Sequence, residues 1–254
     1  MVLIFIGGWV IFGLISYFNH DADSDGKILS GANEKKTAQA IHSLIMEEFD
    51  TINPPLSTLA IQQIFDRFEE NIDTGYHYQF YLIDDKMNNA FATLNGNIYI
   101  MKGLLEFAES PEVLSAVIAH EIGHIQNRDF ETRLSKNISL SALEIIITGG
   151  NTTLISELSK TLFSSKYDRQ QEQAADDFAK DLLIKSGIHP ENLAVLFLGM
   201  ERENYIDLPE ATSMFMSHPH LKMRIEKAVI YDLPEDFEER PLAIDWVSVK
   251  KELK

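Results

Sequence analysis

Ser110-Pro111-Glu112-Val113-Leu114-Ser115-Ala116-Val117-Ile118-Ala119-His120-Glu121-Ile122-Gly123-His124 is the stretch on which the reading of this chain turns. An N-cap serine, a proline in the first turn and an acid at the positive end of the dipole predict a helix start at Ser110. Within that helix His120 and His124 are four apart and share a face, with β-carbons about 5–6 Å apart. Both imidazoles can therefore reach one tetrahedral ion at about 2.0–2.1 Å. Glu121, beside them, is placed to take a proton from water activated by that ion rather than to ligate it. A surface helix with two solvated histidines is the competing reading. The apolar neighbours Val117, Ile118 and Ala119 weigh against it, because they bury the helix.

N-terminal to this stretch the period changes. Tyr76–Ile83 is aromatic and β-rich, and Asn89–Leu94 and Asn97–Met101 flank an Asn95-Gly96 pair, which predicts a hairpin. A small antiparallel sheet is therefore expected just before the His120–His124 helix. Further back, Glu34–Phe49 places Ala38, Ile41, Ile45 and Phe49 on one stripe, and Ser57–Ile72 does the same with Ile61, Ile64, Phe65, Phe68 and Ile72. The breaker Asn53-Pro54-Pro55 separates these two helices. At the chain start, Met1–Phe18 runs 18 residues without a charge, about 27 Å as a helix. The expected organisation is an N-terminal membrane anchor or signal segment over residues 1–18, a linker over 19–33, and one α+β domain over 34–254. The three aspartates Asp21, Asp23 and Asp25 after the segment suggest that the body lies on the translocated side.

C-terminal to the stretch, Tyr167-Asp168-Arg169-Gln170-Gln171-Glu172-Gln173-Ala174-Ala175-Asp176 opens another helix. Glu172 and Asp176 share a face. Glu172 can supply the carboxylate of a His₂Glu site, and Asp176 can accept the outer N–H of a ligating imidazole. A solvated acidic face is the alternative. Ala174 and Ala175 favour the site, because small residues let the two helices approach closely.

These pieces together make the chain resemble the gluzincin zinc metallopeptidases that include bacterial HtpX and the CAAX prenyl endopeptidase, peptidase family forty-eight of the metallo class. The matching pieces are Asn89-Ala90-Phe91-Ala92, Gly96-x-Ile98-Tyr99-Ile100 running into Gly103-Leu104-Leu105, His120–His124, Glu172–Asp176, Gly187-x-x-Pro190, and His218-Pro219 with Arg224. The resemblance implies a mainly helical zincin-type domain holding one Zn²⁺ per chain on His120, His124 and Glu172, with Glu121 as general base. It further implies that His218 stabilises the oxyanion, that Arg224 organises the same pocket, and that Asn89, Ala90, Phe91 and Ala92 form a strand pairing with an extended substrate. His220 reads as an ordinary surface residue. HtpX and the CAAX endopeptidase carry several membrane helices, whereas Ile138–Leu154 here contains Glu144 and Gly149-Gly150 and falls short of a span. The singly anchored or peripheral envelope quality-control members are the nearer comparison.

Composition narrows the partners. With 22 Lys+Arg against 39 Asp+Glu, a net charge of −17 argues against nucleic acid, whose phosphates need clustered cations. The chain has no cysteine, which excludes thiolate zinc sites and thiol nucleophiles. The acidic tail Asp232–Lys254, with Trp246, is expected to pack back on the catalytic body. The expected function is zinc-dependent cleavage of extended or misfolded proteins in the cell envelope. The alternative is a zinc-stabilised, chaperone-like or latent module that binds unfolded chains by strand pairing without cutting.

Overall fold

In a computed structural model of the chain, the described residues are 31–72, 75–137, 166–204 and 218–254. The segment at 1–18, residues 19–30 of the expected linker, and the Ile138–Leu154 stretch lie outside them. Among the described residues no helix is long and apolar enough to cross a membrane.

The chain begins with helix α1 (Gly31–Glu48), strand β1 (Thr51–Ile52) and helix α2 (Pro55–Glu69). Strands β2 (Gln79–Ile83), β3 (Ala90–Ala92) and β4 (Asn97–Met101) follow. Then come α3 (Lys102–Phe107), α4 (Pro111–Gln126), α5 (Asp129–Asn137), α6 (Arg169–Lys185), α7 (Glu191–Asn204), α8 (Leu221–Ala228) and α9 (Trp246–Glu252). Helix α1 starts at Gly31, inside the expected linker.

The hairpin forms where Asn95-Gly96 predicts it. Both residues carry positive φ, 61° and 83°, as a tight primed turn requires, and a Cβ on Gly96 would stand 2.7 Å from the His77 carbonyl oxygen. The sheet as a whole, however, is mixed rather than antiparallel. Its order is β1-β2-β4-β3, and β2 pairs in parallel with β4. A turn signal reports only the two strands it joins. That β4 inserts between β3 and β2 is a long-range choice, and inserting there makes it run alongside β2.

Alternation along the strands separates two buried clusters. On one face Leu82, Ala90, Ala92, Ile98 and Ile100 meet Ile61, Ile64 and Phe68 of α2 and the apolar side chains of α4. On the other, Ile83, Phe91, Tyr99 and Met101 meet Ala38, Ile41 and Ile45 of α1. Each such Leu, Ile, Phe or Met side chain contributes about 1.5–3 kcal/mol when fully buried. The sheet is thus the middle layer, and α4 lies in the densest packing, buried on every side from Val113 to Ile125.

The tail packs back as expected. The Leu242 amide donates to Glu112 at the start of α4 (2.9 Å), and the Trp246 indole N–H donates to the Ala108 carbonyl (2.9 Å). Glu252 caps α2 from a distance: its carboxylate accepts the Leu56 amide (3.1 Å), the Ser57 amide (2.6 Å) and the Ser57 hydroxyl (2.9 Å). The N-cap of α2, Pro54, makes no side-chain cap bond. Against the opposing effect of burial, the Leu56 and Ser57 groups hold the Glu252 carboxyl below its usual value. Its contribution is therefore present at neutral pH and is lost as pH falls through that lowered value. Glu252→Ala should lower stability by about 0.5–2 kcal/mol, read by urea denaturation at pH 7. An unchanged midpoint would remove this role for Glu252.

Candidate metal centre

Helices α4 and α6 bring the site together by lying unusually close. A Cβ on Gly123 would stand 3.0 Å from both the Cα and the carbonyl oxygen of Ala175. Ala175 is fully buried at this contact, whereas Ala174 is exposed, so one of the two alanines makes the approach possible. The start of α6 is fixed by a capping box. Asp168 accepts the Gln170 and Gln171 amides (3.0 and 3.1 Å), and the Gln171 side chain accepts the Asp168 amide (3.0 Å). Glu172, in the first turn, is thereby aimed at α4.

One donor atom from each of His120, His124, Glu172 and His218 lies within 4.8 Å of the others, and all four residues are buried. His120 Nε2 and His124 Nε2 are 3.0 Å apart. Their outer nitrogens are already engaged: His120 Nδ1 lies 2.9 Å from Asp176 Oδ1, and His124 Nδ1 lies 2.8 Å from Asp129 Oδ2. Each imidazole gives its Nδ1–H to a carboxylate, so its inner nitrogen presents a lone pair. Two lone pairs 3.0 Å apart require a cation between them, either a proton or a metal ion. Glu172 adds a carboxylate 3.6 Å from His124 Nε2 and 3.7 Å from His120 Nε2. Two nitrogens on one tetrahedral zinc stand about 3.3 Å apart. The donor set and spacing therefore fit zinc.

The electrostatics agree. Burial, and the nearby charges of Arg224 and His124, push His120 down to about 3. Burial opposes charge on His124 as well, but its bonds to Asp129 and Glu172 raise it to about 9. His124 therefore carries the proton that a metal must displace. Glu172 is held well below its usual value despite burial, by the charges of His218 and Arg224. Burial pushes the Glu121 carboxyl up, against the pull of His218, His124 and the Ala92 backbone on β3. Neither Glu121 oxygen has a hydrogen-bond partner among the described residues.

Arg224, on α8, is buried with its Nε and Nη2 on the two Asp176 oxygens (2.8 and 2.7 Å) and its Nη1 2.5 Å from Glu172 Oε2. Its guanidinium lies 4.3 Å over the Phe197 ring. His218 stands closer to the donors than an oxyanion role requires. Its Nδ1 lies 2.9 Å from Glu172 Oε1, 3.2 Å from His120 Nε2 and 3.3 Å from His124 Nε2, and its Nε2 lies 3.5 Å from Glu121 Oε1. His220 is exposed. Ala90, Phe91 and Ala92 form β3, last in the strand order, and Asn89 precedes it, its backbone carbonyl accepting the Met101 amide (3.0 Å). Sequence reasoning missed Asp129, which holds His124, and Gln171, whose side chain donates to Asp129 (3.0 Å). The only sequence signal for Asp129 is an acid opening the next helix five residues after His124.

The model of Peptidase family M48 matches residues 55–230, more than half of the chain. Metalloprotease LoiP of Escherichia coli K12 is 29% identical over 217 residues, covering 78% of this chain and 84% of its own length. Metalloprotease YcaL of the same organism is 30% identical over 220 residues, covering 79% and 84%. The Escherichia coli K12 beta-barrel assembly-enhancing protease is 24% identical over 222 residues, 81% of this chain but 45% of that longer protein. The matched region leaves out α1, β1 and the whole of the tail that carries α9.

Proposed function

This chain belongs to Peptidase family M48 and is a zinc metalloendopeptidase; from that premise we propose that His120, His124 and Glu172 hold the zinc and that Glu121 is the general base. The observation that carries this is the convergence of the inner nitrogens of His120 and His124 with the Glu172 carboxylate, all buried, with Glu121 beside them outside the cluster. Zinc held there supplies Lewis acidity to water and to a peptide carbonyl. Glu121 takes the proton of the attacking water. The same carboxyl then delivers the proton to the leaving amine. Asp176 and Asp129 keep both imidazoles in the ligating tautomer, and Arg224 holds Asp176 and Glu172 in place. An extended substrate pairs along β3, whose Ala92 lies against Glu121, so backbone rather than side-chain identity dominates recognition.

The substrates we assign are extended or misfolded proteins of the cell envelope, in line with the relative named for β-barrel assembly. Residues 1–18 anchor the catalytic body to a membrane on the translocated side. Zinc analysis should return one ion per chain. Cleavage of an unfolded protein should stop on chelation and return with added zinc; chelator-insensitive cleavage would sink the reading.

Metal binding should also release close to one proton at pH 7, because His124 titrates near 9 and His120 is already neutral. Affinity should then fall about tenfold for each pH unit below about 9. Calorimetry in buffers of different ionisation enthalpy measures this directly, and zero release at pH 7 would contradict the assignment.

A second reading concerns His218. With Nδ1 among the donors, it acts as a further ligand in a resting enzyme and must withdraw to admit substrate. His218→Ala then raises basal cleavage of an unfolded protein, whereas loss of an oxyanion donor lowers kcat by about 10²–10³. The direction of the change separates the two roles.

A further inference from the structure

Tyr167 precedes the N-cap of α6 and is 2% exposed. Its ring lies flat on the His124 imidazole, with centroids 3.9 Å apart and planes inclined by 10°. The Arg133 guanidinium of α5 stands 4.2 Å from the ring centre, and with the imidazole covering one face it has room only over the other. The tyrosine is therefore gripped between a cation and a metal-site histidine. Its hydroxyl has no hydrogen-bond partner among the described residues, so the ring, not the oxygen, makes the contacts that hold it.

The Asp129 bond fixes where His124 Nδ1 points, but it leaves the ring plane loosely defined, because the terminal torsion of histidine is broad. His120 packs edge-on, at 85° and 4.5 Å between centroids, and does not close that freedom. A stacked phenol does. Tilting the imidazole out of plane would drive it into Tyr167, which Arg133 prevents from backing away. The ring is itself fixed in space by its neighbour Asp168, through the capping box that starts α6.

We propose that Tyr167 is a positioning residue for the metal centre, its ring setting the plane of His124 so that Nε2 faces the ion. The inference rests on His124 being a zinc ligand, and it extends the site to a residue on the α5–α6 side that the HExxH pattern does not contain. The contact is aromatic, so phenylalanine should preserve it and an aliphatic side chain should not.

The test compares the zinc-loaded wild type with Tyr167→Phe, Tyr167→Leu and Tyr167→Met by competition with a chromophoric chelator. Tyr167→Phe should bind zinc within about threefold of wild type, and the two aliphatic variants about 10–100-fold more weakly. In the cobalt-substituted proteins, the visible absorption should shift in the aliphatic variants and stay unchanged in Tyr167→Phe. Unfolding temperatures of the metal-free forms establish that each variant is folded, and Tyr167→Met, close in volume, stands in should Tyr167→Leu not fold. Wild-type zinc affinity in a folded aliphatic variant overturns the proposal. So does a loss in Tyr167→Phe as large as in the aliphatic variants, which would assign the role to the hydroxyl. A wild-type protein that binds no zinc overturns instead the metal reading beneath it.

Discussion

Glu121→Gln should abolish cleavage of an unfolded protein, a loss of at least about 10²–10⁴ in kcat, while one zinc per chain is retained. The reasons are geometric. Glu121 is fully buried, neither of its oxygens is bonded among the described residues, and it is not one of the four residues whose donor atoms cluster. Glutamine has the same shape and reaches the same point, but it cannot hold the proton. Fold stability should not fall, because the substitution removes a buried carboxyl whose charged form burial disfavours. Zinc analysis, an unfolding temperature and a cleavage assay on one preparation separate these effects. Cleavage at the wild-type rate would end the proposed mechanism.

Arg224→Met should be the most destabilising of the single changes considered, by about 3–5 kcal/mol in the metal-free protein. Arg224 is 2% exposed and holds two buried carboxylates at once. Methionine fills much of the volume against Phe197, but it leaves Asp176 and Glu172 without their cation. With zinc bound the loss should be smaller, because the metal compensates Glu172. The pH dependence should become shallower. In the wild type Glu172 and Asp176 are held below their usual values despite burial, by partners that include Arg224. They therefore add stability above about pH 4.3, and it is lost on acidification. In the variant the lowering by Arg224 is gone while that by His218, His124 and His120 stays, so metal-free stability should fall less steeply than in the wild type as pH drops toward 5. Denaturant titrations of both proteins at pH 5 and pH 7.5 measure this; parallel pH profiles would refute the role given to Arg224.

Some of the site was legible because it is built from spacings within one helix. His120 and His124 meet because residues four apart share a face, and Glu172 and Asp176 obey the same rule on α6. Ser110 and Pro111 mark the start of α4 for reasons of local backbone bonding, and the structure shows Ser110 accepting the Val113 amide (3.3 Å). The Asn95-Gly96 turn is equally local. The misreadings lie where distant segments meet. The sheet is mixed because β4 inserts beside β2, which no turn residue encodes. Ala175 rather than Ala174 faces Gly123, because the rotation of α6 is set by packing.

From residue types and spacings alone, the chain determined a buried helix offering two imidazoles and a base, a second helix offering a carboxylate pair, and a hairpin ahead of them. These follow from helix periodicity and turn stereochemistry, which act over a few residues. Only the tertiary structure decided that Asp129 holds His124, that Tyr167 and Arg133 grip it from the side, that His218 stands among the donors, and that Glu252 caps a helix 195 residues away. Such contacts depend on how α5, α6, α8 and the tail settle around α4. Burial drives that settling without direction, and the polar partners are chosen only once the packing has brought them within reach.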